Sequence, residues 1–196
     1  KIKICLEVKS MFKYSKLTPY PINIKRKDPK MAKYILTQYG GPYGELGAAI
    51  RYLNQRFTMP DQRGKCLLAD IGTEELGHVE MICMMVYKLT EGCSAKELEE
   101  AGLGCNYATH GLEIFPSDCN GQDFTTSGIG ATGDFIADLT EDMAAEEKAR
   151  SVYEHLIDLA TDEDVINVLL YLRQREIVHY NRFKDLLEVY KKEYTR

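Results

Sequence analysis

Apolar residues recur at spacings of three and four over most of the chain, the period of helices that bury one face. Asp28-Pro29 reads as an N-cap followed by proline at the first helical position, and opens a helix that Gly40-Gly41-Pro42 interrupts. A second stretch runs on to about Phe57. Met59-Pro60-Asp61 restarts the chain, and Gln62 to about Thr90 carries the helical period without a break until Gly92. Ser94 to Glu97 has a capping-box pattern for a short helix ending before Gly102. The next thirty or so residues, to about Gly133, are rich in Gly, Asn and Asp and have little periodicity, as expected of a crossover or a functional loop. Asp134 to Ala160 and Asp162 to about Tyr194 are again helical, while residues 16 to 28, with two prolines and a basic cluster, read as an extended arm. The pattern predicts an all-α fold, a four-helix bundle with two main helices on each side of one long crossover.

Composition narrows this picture. A chain of 196 residues with 44% hydrophobic and 28% charged residues suits one globular domain and excludes a disordered tail. The net charge of −5 disfavours a nucleic-acid partner. The longest apolar run, Met81 to Tyr87, is far too short to span a bilayer, so no membrane partner is expected. None of the six cysteines forms a C-x-x-C, and reduced thiols in a cytoplasmic protein are expected. Residues 1–10 lack a secretory pattern and precede Met11, a plausible start; they are set aside as non-native or upstream sequence, leaving a single domain over 11–196.

The chemistry lies where the buried stripes are broken. Residues 62–90 give Leu68, Ile71, Glu75, His78, Ile82, Met85, and residues 162–194 give Leu169, Leu172, Glu176, His179, Phe183, Leu186, each spaced 3, 4, 3, 4, 3. Two E-x-x-H pairs therefore fall on core positions. Ile136, Leu139, Met143, Glu146, Arg150, Tyr153 and Glu45, Ala49, Tyr52, Leu53 add one inward glutamate each. With 18 glutamates and 4 histidines, chance places about 0.4 E-x-x-H pairs in the chain, so their joint placement in core stripes carries more weight than the motif alone. Inward carboxylates need protonation, basic partners or metal, because a bare buried charge costs several kcal/mol or more. Six convergent ligands favour metal. One Glu from each of two helices and one Glu-x-x-His from each of the others is the ligand set of ferritin-like di-iron and di-manganese bundles. Other candidates have plainer readings: His110 in the crossover, His155 and Glu147 at the surface, Glu74 and Glu80 beyond direct ligation, and Met84-Met85 with the tyrosines at 52, 153 and 171 as packing.

These residues resemble a known family. Asp70-Ile-Gly-Thr-Glu-Glu75-Leu-Gly-His78-Val-Glu-Met-Ile82 is similar to the second-helix motif of the non-haem manganese catalases, and the likeness includes Gly44-Glu45, Tyr52-Leu53, Gly133-Asp134-Phe-Ile-Ala-Asp138, Glu146-Glu-Lys-Ala-Arg150 and Arg175-Glu176-Ile-Val-His179. Leu17-Thr-Pro-Tyr20 and the short C-terminus resemble the spore-coat CotJC branch. The resemblance implies a ferritin-like fold and two manganese ions per chain, with Glu45 and His78 on one ion, Glu146 and His179 on the other, and Glu75 bridging. It implies that Glu176 is a catalytic base near the pair, where the ligand pattern alone would make it a ligand, and that Tyr52 hydrogen-bonds the cluster. Ala145 departs from larger members that carry arginine there, which weakens the expected electrostatic support. The implied activity is dismutation of hydrogen peroxide by a homo-oligomer, expected to be a hexamer, in the cytoplasm or spore coat among other coat proteins. Carboxylate and imidazole ligands also suit iron. The alternatives are thus a di-iron oxidase or peroxidase and a mainly structural coat protein.

Overall fold

The computed structural model describes residues 17–194; residues 1–10, Met11 and Cys5 lie outside that range. Eight α-helices form the described chain: α1 (Pro29–Ile35), α2 (Thr37–Gly40), α3 (Glu45–Gln55), α4 (Gln62–Thr90), α5 (Ala95–Glu100), α6 (Gly104–His110), α7 (Phe135–Leu159) and α8 (Glu163–Tyr194). Their ends follow local chemistry. The Asp28, Asp61 and Asp134 side chains accept backbone N–H bonds at the starts of α1, α4 and α7, and Ser94 with Glu97 closes a capping box on α5. Beyond α4, Gly92 takes a positive φ of 74° that other residues rarely adopt. At Gly40 a Cβ would lie 2.7 Å from the backbone of Ser117, so glycine lets the crossover rest against the end of α2.

Helix α3 packs on α4 and α7 on α8, with α4 against α8 and α3 against α7 completing the bundle. The apolar core has two parts. Ile82, Met85, Leu169 and Leu172 belong to one, and Leu68, Ile71, Phe183 and Leu186 to the other. The early residues of α4 thus share a core with the late residues of α8, so these helices run antiparallel. Between the two apolar halves lie the E-x-x-H pairs. The structure differs from the expected stripes on α7 and α3. Arg150 turns to the surface to pair with Glu147 at 2.8 Å, and the buried acidic positions of α7 include Asp138 and Asp142 as well as Glu146. On α3, Arg51 and Gln55 are buried, whereas Leu53 is only partly so.

The crossover is more ordered than its composition implies. It contains α6, a 3-10 turn at Thr126–Gly128 and an isolated bridge between Ser117 and Asp123. Its last part is fastened to the bundle: Arg51 donates to the Gly128 carbonyl at 3.2 Å, Gln55 to that of Gly130 at 3.0 Å, and Thr132 to Asp138 through both backbone and hydroxyl. From Leu17 onward the arm lacks helix and lies along the bundle, with Ile24 buried and Tyr20 stacked on Tyr171 at 4.9 Å. The five cysteines of the described residues are free thiols. No helix among the described residues is long and apolar enough to cross a membrane.

Candidate metal centre

Four helices each deliver a carboxylate to one buried point. Glu45 opens α3, where a negative charge is favoured by the helix dipole. Glu146 sits in the middle of α7. On α4 and α8 the i, i+3 spacing turns Glu75 with His78, and Glu176 with His179, to the same side. All six are at most 2% exposed, which makes their charges matter far more than surface charges would.

Glu75 is central. One of its oxygens lies 2.6 Å from His78 Nδ1, the other 2.8 Å from His179 Nδ1, and the two imidazoles stand 5.7 Å apart. Glu45 approaches His78 Nδ1 at 3.5 Å, and Glu146 approaches His179 Nδ1 at 3.7 Å. Two overlapping ligand clusters result: Glu45, Glu75, His78, Glu176 and Glu75, Glu146, Glu176, His179, each with donor atoms within 4.8 Å of one another. All six predicted ligand-type residues are therefore brought together. Tyr52 lies beside them, its hydroxyl donating to Glu146 at 2.5 Å.

The surroundings add two groups to these six. Tyr153, read as packing, is buried in the core and also donates to Glu45. The signal was available: Tyr52 follows Glu45 by seven residues and Tyr153 follows Glu146 by seven, so each tyrosine projects two turns along from one glutamate and reaches the glutamate of the opposite helix. Glu74, read as lying beyond direct ligation, sits behind both imidazoles, 3.6 Å from His78 Nε2 and 3.2 Å from His179 Nε2. Arg175 anchors it through contacts of 2.6 and 3.2 Å. A carboxylate on the far nitrogen fixes ring orientation and leaves Nδ1 free to face the cluster. His110 stacks on Phe115 and His155 is exposed, both away from this site.

The titration behaviour follows from this crowding. Burial, together with the charge of Glu75, pushes Glu45 up to about 7 against the pull of His78. Burial first, then the neighbouring carboxylates Glu45, Glu146 and Glu75, raises Glu176 well above the usual range. Burial would raise Glu75 too, but the imidazoles of His179 and His78 outweigh it and hold Glu75 below that range. Both histidines are raised, since nearby carboxylates, Glu75 foremost, override a burial penalty that favours the neutral ring.

The donor set fits two divalent cations. Glu146 Oε2 and Glu176 Oε1 are buried without a hydrogen-bond partner, unusual for polar atoms in a packed interior, and the close contacts of His179 with Glu75 and Glu74 lack hydrogen-bond geometry. Four carboxylates would balance a charge of +4, and oxygen with imidazole donors suits manganese or iron. The sequence model of the family described as manganese-containing catalase matches residues 11–196. The chain belongs to that family.

Relatives of the manganese-containing catalase chain agree. It is 51% identical to Protein CotJC of Bacillus subtilis over 183 residues, covering 93% of this chain and 96% of that protein. It is 35% identical to a probable manganese catalase of Clostridium acetobutylicum, covering 93% and 82%. Among solved structures, the manganese catalase KatB from Anabaena superposes with a TM-score of 0.82 at 32% identity, covering 94% of this chain and 83% of that one. For a catalase centre, the Tyr153 bond gives a specific expectation. Tyr153→Phe keeps the ring but removes the donor to Glu45, and losses of about 10–100-fold in metal affinity or activity are typical when such a partner is removed. Manganese titration and oxygen release should both register the loss, with helix content unchanged.

Proposed function

We propose that the chain is a dimanganese catalase that converts two hydrogen peroxide molecules to dioxygen and water. The observation that carries this reading is the pair of buried Glu/His clusters sharing Glu75 and Glu176. Glu45 and His78 would hold one ion, Glu146 and His179 the other, and Glu75 both. When bound, the manganese pair would supply reversible two-electron chemistry, cycling between (II,II) and (III,III). Glu176 is the group suited to proton handling: it has an unpartnered oxygen, and its burial favours the protonated form, so it can accept the proton of a peroxide O–H and return it to the departing oxygen. Tyr52 and Tyr153 steady Glu146 and Glu45, and Glu74 orients both imidazoles.

Family membership places the chain among oligomeric proteins that use hydrogen peroxide. Its likeness to Protein CotJC supports an assembly in the spore coat alongside other coat proteins, and a hexamer is the proposed state. Elemental analysis of freshly purified protein, paired with oxygen evolution from added peroxide, tests the function. About two manganese ions per chain and brisk oxygen release are expected for this ligand set. Iron retained with rapid ferrous oxidation would move the protein to the di-iron oxidases, and manganese without oxygen release would leave a structural coat role. Glu176→Gln should keep its metals and lose about 10²–10⁴-fold in turnover, the usual worth of a positioned acid–base group. Full turnover in that variant would remove Glu176 from the reaction.

A further inference from the structure

A cavity of about 160 Å³ leads from the surface to Glu176, bounded by helices α3, α7 and α8. Its walls carry Gly44, Ala48, Ala145 and Ala149, and Tyr52 and Glu176 line it beside the metal centre. At the rim the Lys148 ammonium lies 5.2 Å from the centroid of the exposed Tyr43 ring. The size is the informative quantity. A cavity of about 150 Å³ accommodates benzene, a molecule of six heavy atoms, whereas hydrogen peroxide has two. The walls matter as much: Arg51 and Glu141, paired at 3.7 Å, put charge on one part of the lining, and the four positions without side chains beyond Cβ leave an apolar strip on which an alkyl group can rest.

We propose that this cavity admits small alkyl hydroperoxides as oxidants alongside hydrogen peroxide, with Ala145 setting the size limit. The inference rests on the catalase reading above. The hydroperoxide end would face Glu176 while the alkyl group lies against the alanines. Its O–O bond breaks with uptake of two electrons and two protons, giving an alcohol and water. Hydrogen peroxide returns the two electrons and two protons as it becomes dioxygen. The sum is ROOH + H₂O₂ → ROH + H₂O + O₂, in which every atom and electron is accounted for.

The test uses manganese-loaded protein with tert-butyl hydroperoxide and hydrogen peroxide together. Appearance of tert-butanol is expected, with oxygen released per hydrogen peroxide consumed rising from one-half toward one. Binding is read separately, from the faster relaxation of tert-butanol methyl protons near the paramagnetic ions. Ala145→Phe should lower both the relaxation effect and the ratio of organic to hydrogen peroxide turnover by at least about tenfold, the scale on which pocket size discriminates. Ala48→Leu, on another wall, takes its place if the first variant loses helix content or metal. Wild-type dismutation at an unchanged one-half stoichiometry, with no methyl relaxation, would overturn the inference and leave the catalase reading intact, as would a wild-type ratio in the folded variants. Absence of dismutation itself would fell the reading beneath it, and the inference with it.

Discussion

Glu75→Ala is expected to strip the protein of both metals and of its oxygen release. Among the described residues Glu75 is the one carboxylate within 3 Å of both imidazoles, with a separate oxygen directed to each. Losing a residue that merely orients a ligand typically costs 10–100-fold, so losing one that faces both sites should exceed about 10²-fold in oxygen release. Manganese retained after dialysis should fall well below the wild-type content. The fold will register the change as well. Without Glu75, His78 and His179 lose their principal counter-charge in a site that excludes water, and breaking a buried pair typically costs about 3–5 kcal/mol. A lower melting temperature is expected even in chelator. Glu147→Ala, which removes an exposed carboxylate paired with Arg150 on the same helix, serves as the control and should change neither readout. Two manganese ions and full turnover in Glu75→Ala would dismiss the shared bridge.

The sequence shows so much of this centre because burial and helical period make the same demand. A glutamate and a histidine three residues apart, inside a stripe of leucine, isoleucine and phenylalanine, have no reason to be there unless something compensates their charge. Periodicity alone marks Glu75, His78, Glu176 and His179, and the length of α4 and α8 makes their register unambiguous. Helix α7 was harder to read. Its inward face carries Asp138, Asp142, Glu146 and Ala149, so little apolar contrast marks it, and Arg150 was drawn into the stripe although it pairs at the surface. The contacts of Tyr153 and Glu74 are hidden for a different reason. Each residue also reaches across helices, Tyr153 to Glu45 of α3 and Glu74 to His179 of α8, and a spacing such as Tyr153 seven residues after Glu146, or Glu74 four before His78, does not by itself name the partner on another helix. The crossover hid its order because its fastenings run through Arg51 and Gln55, buried polar residues whose role depends on the backbone carbonyls that reach them.

Loading with manganese should become steeply more favourable as pH rises, and should release protons. In the metal-free protein Glu45 is pushed up to about 7, Glu146 and Glu176 are raised, and both histidines are raised, while Glu75 alone among the six is lowered. The folded metal-free chain therefore holds more protons than the unfolded chain over most of the range above the ordinary carboxylate pKa. Its stability then falls as pH rises. For the histidines the sign is explicit: their contribution is complete below the unfolded value near 6.5 and is lost as pH climbs through the raised folded values. Glu75 acts in the opposite sense, contributing stability above the unfolded carboxylate pKa that is lost in acid. Metal binding needs neutral imidazoles and ionised carboxylates, so each chain must give up the two histidine protons and a share of those on Glu45 and Glu176. At least about two protons per chain are expected near pH 7, which corresponds to roughly a hundredfold change in the product of the two binding constants for each pH unit. Calorimetric titrations in buffers of different ionisation enthalpy would count the protons. Melting curves in manganese and in chelator should diverge as pH rises from about 5.5 to 8, since the metal adds stability in proportion to the logarithm of its affinity while the empty site repels itself. Proton release near zero with a pH-independent gap would mean that Glu45, Glu75, His78, Glu146 and His179 are not the ligands.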